Sequence, residues 1–161
     1  MQMGEDRARV FNYGAPALDA LRRLKLLSKA SLEEILHLSL GEDVALVTFH
    51  PVTQMKGSAG RQVQNVIKTL DKSGLRMIFT MPNADPENRS IFKAIREYAQ
   101  KHPKRAVAVT SLGQLRYFSL MQYVGLMVGN SSSGIIEAPS FKLPVVNIGT
   151  RQGGRVKARN M

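Results

Sequence analysis

Short apolar, β-branched runs separated by segments of helical periodicity, with no hairpin turn between them, constrain this chain more than any other feature. Runs near residues 8–12, 44–49, 76–80, 106–110, 126–129 and 145–148 read as strands. The run 44–49 is continuous enough for a strand covered on both faces. Helical spacing fills the intervals. Leu18, Leu21, Leu24 and Leu27 follow Pro16, and Ser31 with Glu34 makes a capping box for a helix over 32–40. Val63, Val66, Ile67 and Leu70 follow a cap at Ser58, and Ile91, Ala94, Ile95 and Tyr98 share one face of a later helix. Parallel strands need crossover connections, so this alternation predicts an α/β fold: a parallel sheet with helices on both faces. Such sheets hold ligands at the carboxyl ends of their strands.

The stretch 128–155, VGNSSSGIIEAPSFKLPVVNIGTRQGGR, is where that rule points. Gly129 breaks the apolar run Leu126, Met127, Val128, so Asn130 to Ser133 emerge at a strand end. Ser131, Ser132, Ser133 and Gly134 suit a helix N-terminus, whose free N–H groups attract an anion. Glu137 follows about one turn later and fits two roles. It is either a carboxylate for two neighbouring ribose hydroxyls or a first-turn acid that favours the helix dipole.

Other candidates lie at the ends of other strands. His50 ends the run 44–49, and Pro51 stops the strand from continuing. The imidazole either donates to a phosphate or has no task. Asn83 and Asp85 fall in MPNADPENR, where local side-chain turns and ligand contact are both open readings. Tyr117, Phe118 and Tyr123 fall on one helix and as a set read as core. Arg151 follows the last strand and can pair with phosphate or with a departing oxygen.

Composition excludes several classes. At 161 residues and 43% hydrophobic the chain suits one domain. It has no cysteine, so disulfide frameworks and thiolate metal sites are excluded and cytoplasm is the default compartment. No run approaches a membrane span. The net charge of +11 is scattered, without the interleaved aromatics of a single-strand-binding face, so nucleic acid is not the expected partner. Neither GxGxxG nor GxxxxGK[ST] occurs.

GNSSSGIIEAPSFKLPVVNIGTRQGGR resembles the signature of the hydrolysing UDP-N-acetylglucosamine 2-epimerases, including the branch that serves sialic acid pathways. VTFHPVT, FTMPNADPENR and RVFNYGAPALD are similar to matching segments of that family, whereas QMKGSAGR is more basic and glycine-rich. The resemblance implies one half of a two-domain, glycosyltransferase-B-like architecture. Residues 1–14 would be the interdomain connection and first strand, and 15–161 a Rossmann-like UDP-binding domain truncated at both ends. It implies UDP-N-acetylglucosamine or UDP as ligand, with UDP elimination and then hydration to N-acetylmannosamine. No nicotinamide cofactor or catalytic metal is implied. His50 and Arg151 would steady the diphosphate, with Ser131, Ser132, Ser133 and Gly134 around it. Glu137 would take the ribose, Asn83 would approach the nucleotide, and Phe118 would stack near the uracil. Its partners would be the missing N-terminal domain and further copies in a homo-oligomer, with no membrane. Two alternatives stand beside it, the UDP-binding domain of a two-domain glycosyltransferase and a non-catalytic polyanion-binding module.

Overall fold

A computed structural model of the chain describes residues 4–51, 59–81 and 88–161. Asn83, Asp85 and the cap expected at Ser58 lie outside the described residues. Among the described residues the helices are α1 (Pro16–Arg23), α2 (Lys29–Leu36), α3 (Ala59–Lys72), α4 (Arg89–Lys101), α5 (Gly113–Leu120) and α6 (Ser133–Ile136). The strands are β1 (Val44–Thr48), β2 (Arg76–Thr80), β3 (Ala106–Val109), β4 (Leu126–Gly129) and β5 (Val145–Asn147). They form one sheet in the order β3-β2-β1-β4-β5, and each neighbouring pair is parallel. The parallel sheet expected from the alternation is therefore the fold found. The strand order reverses between β1 and β4, and that junction is where ligands enter open sheets of this kind.

Successive strand residues point to opposite faces, and the core divides accordingly. Val44, Leu46, Ile78 and Met127 face one layer, formed by Leu32 and Leu36 of α2, Phe118 and Leu120 of α5, and Leu143. Ala45, Val47, Met77, Phe79 and Val128 face the other, formed by Val63, Ile67 and Leu70 of α3 with Ile91 and Ile95 of α4. Charge-assisted bonds secure the amino ends of the strands. Arg76 forks onto Asp43 at 2.7 and 2.6 Å, and Arg105 reaches Asp71 at 3.0 Å beside the Tyr98 hydroxyl. Arg105, one of the scattered cations, is thus engaged within the fold.

Three elements depart from the sequence reading. Residues 8–12 do not form a strand: a 3-10 turn covers Arg7–Arg9, and Phe11 and Tyr13 stay exposed with their rings stacked at 5.8 Å. The segment finds no sheet edge, so ring stacking replaces ladder bonds. α1 stops at Arg23 rather than running to Leu27, whose N–H donates instead to Ser119 Oγ at 2.9 Å. The cap of α2 is Ser28, not Ser31. Its Oγ accepts the Ser31 N–H at 3.2 Å, and left-handed His37 (φ 50°) ends the helix before Leu38 and Leu40, which are buried from a loop. α6 is a single turn, followed by a 3-10 turn over Ala138–Phe141. Pro139 prevents a longer helix because it lacks an N–H and its ring would crowd the carbonyl four residues back.

Gly129 couples the fold to the site. Its φ is +146°, and a Cβ there would lie 1.9 Å from the Thr48 carbonyl oxygen in neighbouring β1. Gly129→Ala should therefore lower stability by about 3 kcal/mol. The measurement is the urea midpoint at unchanged slope.

Candidate functional site

β1 and β4 end side by side, with Thr48 paired in register with Gly129. Pro51 cannot donate to a neighbouring strand, so the regular ladder fails just beyond Thr48. The side chain of Asn130 takes over there. Its Oδ1 accepts the His50 N–H at 2.7 Å, and its Nδ2 donates to the His50 carbonyl at 2.8 Å. The Asn130 N–H donates to the Thr48 carbonyl at 3.2 Å. Its own carbonyl accepts Arg151 Nη1 at 3.0 Å and Gln152 Nε2 at 2.7 Å. One fully buried residue thus ties the end of β1, the end of β4 and the loop after β5 together. Asn130 was not among the sequence candidates. Its signal was position: an amide at the first place past a strand-ending glycine, beside a strand that ends in His-Pro.

His50, the serine loop and Arg151 accordingly share one carboxyl edge. Burial pushes the His50 imidazole below its ordinary 6.5, and the Arg151 charge lowers it further, so the neutral ring is favoured. Arg151 is exposed, and Asn130 occupies only one of its five N–H donors.

The serines divide their tasks. Ser132 is the cap residue of α6, and its carbonyl accepts the N–H groups of Ile135 and Ile136 at 3.0 Å each. Ser131 Oγ accepts both the N–H (3.3 Å) and the hydroxyl (2.9 Å) of Ser133. Ser133 Oγ in turn lies 2.7 Å from the Tyr117 hydroxyl. Gly134 is buried, and a Cβ on it would meet Val145 Cγ1 at 2.9 Å. It therefore lets the loop pack closely against β5. With only one helical turn behind it, the loop has a weak dipole, and direct N–H and O–H donors are what it has to offer an anion.

Glu137 sits at the end of that turn, and its Oε2 is buried without a hydrogen-bond partner. Burial raises its pKa above the ordinary 4.5. A buried acceptor left unpaired is costly unless a ligand or water supplies a donor. The carboxylate lines a cavity of about 580 Å³ together with Thr80, Leu112, Gln114, Tyr117 and Phe118. Phe118 is only 4% exposed and packs on Tyr117 and Phe141, with ring centroids 6.5 and 6.4 Å apart. It forms part of the cavity wall. No group of three or more potential metal ligands occurs among the described residues, and no helix there is long and apolar enough to cross a membrane.

Comparison with known proteins yields a consistent set. The family model described as UDP-N-acetylglucosamine 2-epimerase matches residues 1–161. The chain is 38% identical to a GDP/UDP-N,N'-diacetylbacillosamine 2-epimerase (hydrolyzing) of Campylobacter jejuni, covering 100% of this chain and 42% of that protein. It is 34% identical to a UDP-N,N'-diacetylbacillosamine 2-epimerase (hydrolyzing) of Legionella pneumophila, again over 100% of this chain and 42% of that protein. The chain therefore spans about two-fifths of the length of these relatives. Among solved structures, the S. aureus MnaA–UDP co-structure superposes with a TM-score of 0.65 at 21% identity, over 92% of this chain and 38% of that one.

The half-buried imidazole gives a pH test. Arg151→Gln should raise the His50 pKa, because the nearby positive charge is removed while burial remains. Titration of the ring protons by NMR reads it. In the unsubstituted protein the unfolded chain takes up the proton near ~6.5, before the folded one does. Stability should thus decline as pH falls from there through the lower folded pKa, and the decline should be smaller in Arg151→Gln.

Proposed function

The chain belongs to the UDP-N-acetylglucosamine 2-epimerase family, and from that premise we propose that it is the nucleotide-holding half of a hydrolysing 2-epimerase. The carrying observation is the convergence at one strand junction of His50, the serine loop and Arg151, beside a cavity lined by Glu137, whose Oε2 has no partner. The diphosphate lies against Ser131, Ser132, Arg151 and His50. The ribose hydroxyls meet Glu137, whose buried oxygen gains the donor it lacks. The base occupies the cavity between Leu112 and Phe118, and Asn83 contributes from its loop.

The reaction has two stages. First, the proton at the second sugar carbon is removed and the bond from the first carbon to the diphosphate oxygen breaks, which gives an unsaturated sugar and UDP. Water then adds across the double bond, its hydroxyl at the first carbon and a proton at the second from the opposite face. The product is N-acetylmannosamine when the sugar is N-acetylglucosamine. The groups of this chain act on the leaving side: fixed donors that hold the developing diphosphate charge lower the barrier to bond breaking. The groups that move the sugar proton belong to a second domain facing the cleft, and residues 1–14 read as the connection from it. The assembled enzyme is a homo-oligomer that works in the cytoplasm. A second reading of the sugar rests on the two relatives named for N,N'-diacetylbacillosamine. Turnover of both UDP-sugars by a full-length protein decides between them.

Glu137→Gln should weaken UDP binding about tenfold and leave pyrophosphate binding within about twofold, because only the nucleotide brings ribose hydroxyls to the carboxylate. Calorimetry with both ligands separates the roles, and equal losses would return Glu137 to a structural one. The 161-residue chain alone should bind UDP with a Kd on the order of 0.1–1 mM, since one cleft wall leaves the ligand half wet. It should exchange no proton at the second sugar carbon. Ligand-observed NMR and deuterium incorporation measure the two halves, and turnover by the chain alone would overturn this division of labour.

A further inference from the structure

A row of hydroxyls runs from the strand ends to the serine loop, and its proton positions follow from one another. Ser133 has a single hydroxyl hydrogen, and its 2.9 Å contact with Ser131 Oγ has donor geometry only from Ser133, whereas the 2.7 Å contact with the Tyr117 hydroxyl allows either donor and Met127 Sδ lies at 4.0 Å. The 2.7 Å contact between Ser133 and Tyr117 must then be donated by Tyr117. With the phenol hydrogen committed, the 3.3 Å contact with Thr48 Oγ1 must be donated by Thr48. The 2.7 Å contact between Thr48 and Thr80 must in turn be donated by Thr80, whose other acceptor, the Val47 carbonyl, is 3.5 Å away. The distances support this order, because a phenol is the strongest donor of the set and makes a short bond toward Ser133, but it is a weak acceptor toward Thr48. Burial raises the Tyr117 pKa, so its hydrogen is retained at neutral pH.

At the far end, Ser131 Oγ accepts two bonds, from the Ser133 N–H and the Ser133 hydroxyl. Both of its lone pairs are engaged, which leaves its own hydrogen as the one bond it has to give, with the Tyr117 hydroxyl as the neighbour that competes with a ligand for it. We infer that this one-way row of hydroxyls fixes Ser131 as a donor only, and that Tyr117 is the positioning residue that keeps it so for a phosphate oxygen of the bound ligand. The inference rests on the nucleotide reading above and adds selectivity to it. A ligand oxygen with no hydrogen is welcomed at Ser131, and a ligand hydroxyl or ammonium seeking an acceptor finds none. Were the row to run the other way, Ser131 would offer lone pairs and repel the diphosphate.

The test uses Tyr117→Phe, which keeps the ring, with UDP, uridine and pyrophosphate as probes in calorimetry or ligand-observed NMR. Tyr117→Phe should weaken UDP and pyrophosphate about fivefold to tenfold while uridine changes less than about twofold. Ser131→Ala should then cost much less affinity for UDP in the Tyr117→Phe background than alone. Thr48→Val, which deletes a member upstream of the phenol donor, should change UDP affinity less than about twofold. A purely structural tyrosine would weaken UDP and uridine equally and leave the Ser131→Ala effect undiminished, and either result overturns the proposal, as does a large Thr48→Val effect in a stably folded variant. An unsubstituted protein that binds pyrophosphate but not uridine would overturn the nucleotide reading alone, since the row is still measured on pyrophosphate. Binding of neither phosphate ligand would overturn both.

Discussion

The buried amide of Asn130 carries two hydrogen bonds to the His50 backbone, and the arrangement of the whole edge depends on them. A parallel sheet ordinarily holds its strand ends by main-chain bonds, but Gly129 has turned β4 away and Pro51 stops β1. A side-chain amide offers the same donor and acceptor as a peptide group. It extends the pairing one step past the point where the backbone can manage it. The Asn130 carbonyl, released from strand duty, then gathers Arg151 and Gln152 from the loop after β5. Residues separated by about a hundred positions in the chain are thereby fixed to one buried residue, His50 through the Asn130 side-chain amide and Arg151 through the Asn130 carbonyl.

The glycines on either side enforce this closeness in two ways. At Gly129 the neighbouring strand's carbonyl occupies the space a side chain would need, and at Gly134 the side chain of Val145 does so. The loop is therefore pressed between β1 and β5, and its hydroxyls can reach Tyr117 and one another only because no Cβ holds the backbone away.

The layered parallel sheet and the edge at which its strands end were legible in the sequence because apolar runs such as VALVT and LMVG are bounded by glycine, proline and polar residues, which leaves little freedom in their ends. His50, Ser131 and Arg151 could be nominated from that edge rule alone. Other features depended on contacts between distant segments. Leu24 and Leu27 have helical spacing but pack as a loop, since Ser119 offers Leu27 a partner outside any helix. Residues 8–12 have strand-like composition without a strand beside them. Asn130 was overlooked, and the hydrogen bonds of Tyr117, read as core, were not foreseen, for a related reason: an amide after a glycine and a tyrosine on an amphipathic helix are ordinary until the partners brought to them by the fold are known.

α6 is one turn long, and this sets the physical character of the edge. A long helix aimed at a ligand projects a field that is felt several ångströms away and is indifferent to the shape of the charge it attracts. A single turn projects little. What remains is contact chemistry: donors that act over one bond length and forfeit most of their effect when the acceptor is tilted or displaced. On the proposed nucleotide reading, such an edge responds to a group of the right outline more than to a diffuse polyanion, and the large scattered positive charge does not define what the chain recognises.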